Sequence, residues 1–415
     1  MMWRHSAQGM QRFRIFLRRT YGGLPKQTWL LCLAAFVNRA GSMVLPFMSI
    51  YLGKSFGCTI AEAGSVIAMY GIGSIIGSIA GGKLADRIGP VRVQILTLAL
   101  TAVWMALLSF APSVMLFAVG VLVLGAFNDA FRPANVASVA ASCAPYRQAK
   151  ALTLNRLALN AGWATGPAMA GVLADFDFHL LFFVDGFTCA LAALLLFLTV
   201  KADLGKRTQN QPGSAVESPV QKALSPWRNP RFILVLLVST LCFATFLQSF
   251  QTLSRHLEHA LGFSNKLIGA FLVINPIAIV LLEMPIMHAL RHRPQLPLVA
   301  VGALLVGLAY PWLICQSLGA FAVLCSTVTL TIGEMLYMPL LSAYITAMAP
   351  KEARGNYLGA YFASYSMGFI VAPSVGGYVY DTFGPDALWL GCAAAGALSA
   401  ASLLWLSKTT LPRFI

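Results

Sequence analysis

The segment Ala168-Met169-Ala170-Gly171-Val172-Leu173-Ala174-Asp175 overlies Ser374-Val375-Gly376-Gly377-Tyr378-Val379-Tyr380-Asp381 when the chain is slid along itself by 206 positions. The same shift carries Pro133, Gly162 and Pro167 onto Pro339, Gly368 and Pro373. A shift of 205 carries Leu52, Gly57 and Gly64 onto Leu257, Gly262 and Gly269. Gly and Pro mark positions where backbone geometry is most constrained. Their common register over much of each half therefore reads as an internal duplication.

What is duplicated follows from composition. The 415 residues are 58% hydrophobic and only 10% charged, against roughly a quarter charged in a soluble domain. Apolar stretches recur to the end of the chain and reach the roughly 20 residues that a membrane-crossing helix needs. An unpaired backbone group in hydrocarbon costs several kcal/mol, which leaves helices or a closed barrel. Barrel strands would be about half as long and would alternate in polarity. The sequence therefore predicts an all-α integral membrane protein, with twelve transmembrane helices arranged as two parallel-repeat six-helix bundles.

The predicted spans fall at 28–52, 61–82, 93–111, 113–141, 150–174 and 179–200, then at 231–255, 266–289, 297–316, 319–348, 354–380 and 385–407. A basic segment (1–27) carrying Arg4, Arg12, Arg14, Arg18 and Arg19 precedes the first bundle (28–200). A polar linker (201–230) holding Lys201, Lys206, Arg207, Pro212, Gly213 and Pro219 separates it from the second (231–407), and a tail (408–415) follows. Six spans per half give both copies the same orientation, so a substrate site is expected between them near the midplane.

The formal charge of +15 is topological and does not mark a nucleic-acid partner. Of the 29 Lys and Arg, 23 fall at the N-terminus, the even-numbered loops and the C-terminus, and three (Lys54, Arg255, Lys266) fall in odd-numbered loops. This asymmetry places both termini in the cytoplasm. The expected location is the plasma membrane, a bacterial inner membrane, with lipid as the surrounding partner. The eight cysteines are scattered without CxxC or metal-ligand spacing and read as buried thiols. No cofactor, metal or catalytic residue is indicated: there is no phosphate loop, HExxH or Gly-x-Ser-x-Gly. An enzyme is not expected.

Ionisable groups inside spans usually face a cavity or a partner. Spans 3 and 9 carry no Asp, Glu, Lys or Arg, span 12 only Asp386 in its first turn and span 6 only Asp185, so these four are read as the lipid-facing shell. Charge and amide groups collect elsewhere: Arg39 beside Asn38 in span 1; Asn128, Asp129, Arg132 and Asn135 in span 4; Arg156 and Asn160 in span 5; Thr245, Gln248, Thr252 and Arg255 along one stripe of span 7; Asn275 and Glu283 in span 8; Thr331 and Glu334 in span 10. Arg39, Asn128, Asp129, Arg132, Arg156, Gln248, Glu283 and Glu334 are the candidates for substrate or proton coupling. Low-dielectric surroundings favour the neutral acid while Arg stays charged, so a proton or a substrate could compete for the acid. Static ion pairing, such as Asp129 with Arg132, is the alternative role.

After span 2 the chain reads Gly82-Lys83-Leu84-Ala85-Asp86-Arg87-Ile88-Gly89-Pro90-Val91-Arg92. This resembles the G-x-L-a-D-r-x-G signature of the major facilitator superfamily, with Gly82, Leu84, Asp86, Arg87, Gly89 and Arg92 matching and Pro90 departing. The resemblance implies a cytoplasmic latch, including Asp86 and Arg87, that helps hold an outward-closed state. The second-half copy keeps little beyond Leu290 and the basic run Arg291, His292 and Arg293. In span 5, Gly162-x-x-x-Gly166-Pro167-x-x-x-Gly171 resembles the motif of the bacterial drug:proton antiporter branch, with Gly368, Pro373 and Gly377 as its span 11 copy. The branch's Arg-Gln-Gly in span 4 is absent.

Secondary active transport by alternating access is the expected function. Proton-coupled efflux of small amphipathic or drug-like compounds by a monomer is the first reading. Proton-coupled import of an anionic metabolite or peptide, with Arg39 as the anchor, is the second.

Overall fold

The computed structural model describes residues 23–201, 226–290, 292–350 and 354–409. The basic stretch before residue 23, linker residues 202–225, Arg291 and tail residues 410–415 lie outside the described residues. Fourteen α-helices are described and, among the described residues, no strand: α1 Lys26–Ala40, α2 Val44–Phe56, α3 Ile60–Ile88, α4 Pro90–Leu108, α5 Val114–Ala141, α6 Gln148–Ala174, α7 His179–Thr199, α8 Pro230–Leu247, α9 Thr252–His259, α10 Asn265–Leu290, α11 Gln295–Leu308, α12 Ala320–Met348, α13 Arg354–Phe383 and α14 Pro385–Thr409.

Local sequence sets the ends. Thr59 and Glu62 form a reciprocal capping box at the start of α3, satisfying two amides that helix geometry leaves without partners. Asn229 caps α8 ahead of Pro230 at its first position. Gly57 and Gly262, matched by the repeat, take left-handed φ values of 69° and 63° just past α2 and α9, where a β-carbon would be strained.

Two expected spans are interrupted. Span 1 breaks at residues 41–43 into α1 and α2, and span 7 breaks at 248–251 into α8 and α9. Each whole segment still has the mean hydropathy of one crossing, although Gly41, Ser42, Gln248, Ser249 and Gln251 at the breaks are not apolar. The breaks persist because their backbone groups find partners. Asp185 accepts from Met43 N–H (3.4 Å), and the Tyr310 hydroxyl donates to the Thr245 and Phe246 carbonyls (2.5 and 3.2 Å). Span 3 lies at Pro90–Leu108, earlier than expected, and span 9 ends at Leu308, followed by a 3-10 turn at Pro311–Ile314.

Counting α1–α2 and α8–α9 as single crossings, eleven segments have the length and hydropathy to cross a membrane. The twelfth, α6, has the length, 27 residues, but carries Lys150, Asn155, Arg156 and Asn160. It sits against α1 and α10 at the junction of the halves, where polarity has a use. The predicted shell does turn apolar side chains outward, including Leu96, Leu100 and Val103 of α4 and Phe187, Phe197 and Leu198 of α7. The reading of span 6 as shell alone is corrected, because α7 buries Asp185 at 5% exposure on its inner face.

Twelve crossings put both ends of the described chain on one face, here the terminal face; the turns at Gly57, Asp175, Gly262 and Gly384 lie on the far face. Near the far face the halves meet in two equivalent seams. A β-carbon on Gly64 of α3 would overlap the Pro373 carbonyl of α13, and one on Gly269 of α10 would stand 2.6 Å from the Pro167 carbonyl of α6. Gly377 lies against Ile60 and Ala61, as Gly171 does against Asn265 and Gly269. Gly64 and Gly269, Pro373 and Pro167, and Gly377 and Gly171 are the repeat pairs read from the sequence. A twofold-related pair of backbone contacts is what a parallel duplication should produce.

Overpacking such a contact costs about 1–3 kcal/mol, here charged to one conformation. Gly64→Val is therefore expected to open the far face. Cys58, 6% exposed, should then react faster with a membrane-impermeant maleimide, in a background where exposed Cys315 is replaced by Ser. Unchanged labelling would show that the seam does not hold this face shut.

Candidate functional site

The far face is sealed by side chains as well as by backbone. Arg255 of α9 reaches across to donate to the carbonyls of Ser49, Ile50 and Cys58 (3.2, 3.3 and 3.4 Å). Its guanidinium fills the space that a β-carbon on Gly53 would need. This residue is 7% exposed, which corrects its placement in a loop. Lys54 pairs with Glu258 at 2.7 Å and Lys266 with Asp175 at 3.6 Å. Asp381, the repeat partner of Asp175, accepts from Ala61 N–H at 2.7 Å.

Toward the terminal face the seams part. Along α3 and α13, Ser74 still meets Ser366 at 3.3 Å. About two turns further, Gly82 and Gly359 have nothing within 4 Å of a β-carbon position. Along α6 and α10, backbone contact at Gly171 gives way to long side chains that still bridge, Arg156 to Glu283 at 2.7 Å. Among the described residues the backbone contacts between the halves thus concentrate at the far face, and the halves part toward the terminal face.

Most of the sequence candidates border this opening. Arg39 ends α1 with its guanidinium 5.6 Å above the Trp163 ring, and Gly162 makes room, its β-carbon position being 2.6 Å from Arg39 Cβ. Asp129, 6% exposed, pairs with Arg132 at 3.6 Å. Arg132 also spans to the other half, lying 5.7 and 5.9 Å from the rings of Phe362 and Tyr365. Asn128 stands beside Tyr70. On the opposite wall, Glu334 accepts from Asn275 Nδ2 at 2.8 Å, and the same nitrogen lies 3.1 Å from Thr331 Oγ1. Among the described residues no basic group lies within ion-pair distance of Glu334, whereas Asp129 and Glu283 each have an arginine.

Gln248 is placed elsewhere. Its Nε2 donates to the Ala372 carbonyl (2.7 Å) and its Oε1 accepts from Thr252 (2.6 Å), so it splints the break in span 7 against α13, where Gly376 leaves room. Asn135 is also internal, bonded to Gln94 and Asn155 within the first bundle.

The sequence matches the Major Facilitator Superfamily model over residues 31–336 and 320–414. The chain belongs to the Major Facilitator Superfamily. It is 26% identical to the MFS-type transporter YttB of Bacillus subtilis, covering 93% of this chain and 96% of that one. It is equally identical to Multidrug resistance protein 2 of the same organism, over 82% and 84%. In fold it resembles a peptide transporter POT solved with sulfate, with a TM-score of 0.79 at 18% identity over 94% and 95% of the two chains. The protein is thus a multi-pass membrane transporter for a small-molecule substrate, and not an enzyme.

Two motif readings take on geometry in this superfamily member. Gly162 and Gly166 of the antiporter-like motif receive the break in span 1, with Gly166 facing the carbonyls of Ala40 and Ser42, while Pro167 and Gly171 receive α10. The latch segment, with Gly82, Asp86, Arg87, Gly89 and Arg92, lies at the terminal end of α3 and the start of α4, and Gly89 turns between them at φ 97°. The closed face is the opposite one, and Arg255, Lys54 and the glycine seams close it.

Asp185 escaped the sequence reading because a single acid near a span end carries no pattern. Its Oδ2 holds the amide at the start of α2. Its Oδ1 lies 3.9 Å from Cys189 Sγ, which accepts from Asn38 (3.4 Å). Asp185→Ala would leave that buried amide unpaired, at a cost of about 1–3 kcal/mol. A lower unfolding midpoint in detergent is expected, with Asp185→Asn close to wild type because its amide oxygen still accepts. Equal midpoints for Asp185→Ala and wild type would remove this role.

Proposed function

We propose that the protein is a proton-coupled exporter of small amphipathic or drug-like compounds, working by alternating access between bundles at 28–200 and 231–407. The observation that carries this reading is the inequality among the buried acids. Asp129 and Glu283 are neutralised by Arg132 and Arg156, whereas Glu334 faces the opening with only neutral hydrogen-bond partners. A carboxylate so placed exchanges a proton at least cost in lost pairing, because no arginine is left uncompensated when it is neutralised. The aromatic groups Trp163, Phe362 and Tyr365 beside the arginines suit amphipathic ligands. The efflux reading is supported by likeness to Multidrug resistance protein 2.

The charge asymmetry supports a cytoplasmic terminal face and a bacterial inner-membrane location. On that orientation this conformation is open to the cytoplasm, ready to load, and the protein acts as a monomer. The Gly82–Arg92 latch then belongs to the opposite, cytoplasm-closed state, where Gly82 would meet its partner half.

Arg39 favours the second reading, import of an anionic metabolite or peptide. Among the described residues no carboxylate lies within ion-pair distance of it, and its fork suits a carboxylate or phosphate.

Proteoliposomes distinguish these roles. Glu334→Gln is expected to lose pH-gradient-driven flux by about tenfold or more, within the range of a lost coupling free energy, while substrate counterflow continues. Arg39→Gln should impair transport of anionic substrates only under the second reading. Normal pH-driven flux in Glu334→Gln would overturn the proton assignment.

A further inference from the structure

We propose that His256 is a second proton-binding residue of the transport cycle, which takes up a proton from the far side when that face opens. The proposal goes beyond the reading of Glu334. It concerns the closed end of the second bundle, and its test runs without Glu334 and without transport.

His256 lies on α9 beside Arg255 and is fully buried. Successive helix residues point about 100° apart, and these two serve different halves. Arg255 reaches the α2 carbonyls, whereas His256 turns into its own bundle, between Tyr380 of α13 and Trp389 of α14. Its Nδ1 lies 2.9 Å from the Tyr380 hydroxyl, and its ring stands 5.3 Å from that of Trp389 at 82°. Trp389 in turn stacks on Tyr310 (5.5 Å, 8°), whose hydroxyl holds the break between α8 and α9. The histidine is thus packed into the hinge of the helix that seals the far face.

This box suits a neutral imidazole and not an imidazolium. The cation carries two N–H donors, and the box offers one oxygen. Nε2 is buried without a partner, and the neighbouring Trp389 Nε1 is a further donor left without an acceptor. A charge buried without its hydrogen bonds is costly. The duplication supplies a comparison. At a shift of 205 the equivalent residue is Tyr51, whose ring packs 5.4 Å from that of Phe117 and 5.1 Å from that of Phe182. An aromatic side chain that does not titrate near neutral pH therefore fills the corresponding place in the first bundle. Packing alone does not call for a histidine.

The proton enters on opening. More of α9 packs against α2 of the first bundle than against any one helix of its own. Arg255 precedes His256 and Asp381 follows Tyr380, and both bond across the seam, to the α2 carbonyls and to Ala61 N–H. Parting the seam therefore uncovers the His256–Tyr380 pair from both chain segments, and water supplies the acceptor that a second N–H needs. In water an imidazole protonates near about pH 6.5, so the open far face binds a proton that the closed one excludes. Around the ring, Asp386 of α14 acts through space without bonding Nε2. Glu258 is paired with Lys54, Lys266 with Asp175, and Glu62 is held in its capping box. His259 is already exposed in this state and gains no water on opening.

The test is the distance between spin labels on Ser55→Cys of α2 and Ala260→Cys after α9, both exposed at the far face. The purified parent protein also carries Cys58→Ser, Cys315→Ser and Glu334→Gln. Acidification below about pH 6.5 should enlarge the population with the longer distance by up to about tenfold per pH unit, the limit for uptake of one proton. His256→Asn, whose side chain still reaches hydrogen-bonding range of Tyr380, and His256→Phe, which keeps the ring, should each lack this response. An unchanged response in either folded variant, or none in the parent between about pH 7.5 and pH 5, would overturn the proposal. If Glu334→Gln loses pH-driven flux but the parent shows no acid response, Glu334 carries the proton alone and the role of His256 falls. If the response is present and needs His256 while Glu334→Gln keeps its pH-driven flux, His256 stands and the coupling role of Glu334 falls.

Discussion

The structure depends on how closely two helix backbones approach when no side chain stands between them. At Gly64, Gly171, Gly269 and Gly377 the halves meet carbonyl against α-carbon. In hydrocarbon there is no hydrophobic drive to push helices together, so close packing supplies the attraction. Small residues on both sides of each seam make that packing possible, and Pro167 and Pro373 present backbone oxygens at the contact. Beyond Ser74 and Ser366 the contact passes from backbone to long side chains, such as Arg156 with Glu283.

Closure also needs its polar groups satisfied. Arg255 costs several kcal/mol to bury unless its donors find acceptors, and its two terminal nitrogens do while its Nε has no partner. The end of α2 offers the carbonyls of Ser49 and Ile50, and Cys58 adds another. The donor comes from one half and the acceptors from the other, so they are together only while the far face is shut. Asp175 and Asp381 repeat the device at equivalent positions, one on a lysine at the start of α10 and the other on an amide at the start of α3. A carboxylate at a helix N-terminus is favoured in any case by the local dipole.

The duplication was legible in the sequence because glycine and proline record backbone requirements, and backbone contacts are what the halves share. The pairs Gly57 with Gly262 and Pro167 with Pro373 recur in the structure with matching roles. The helix breaks were not legible, since each segment as a whole keeps the hydropathy of one crossing and the partners that stabilise the breaks, Asp185 and Tyr310, are remote in sequence. Gln248 and Arg255 were misread for the same reason. A polar residue on a helical stripe does not reveal whether it faces a cavity or a distant backbone oxygen. The three arginines and the acids at depth were visible, but their pairing was not, because Arg156 and Glu283 come from different bundles.

The two halves are most alike where they close and least alike where they open. At the far face, Asp175 matches Asp381. At the opening, the repeat sets Arg156 against Phe362, Asn128 against Glu334 and Trp163 against Phe369. Symmetry at the seams is required by the rocking motion on the proposed reading, since each seam must open as its twin does. Symmetry in the cavity would be harmful, because two equivalent carboxylates facing each other would compete for the same proton and repel when both are charged. Divergence leaves one unpaired acid on one wall and arginines with aromatic rings on the other. A single duplicated scaffold thereby acquires a polar site with a direction, while the hinge that serves it stays nearly twofold.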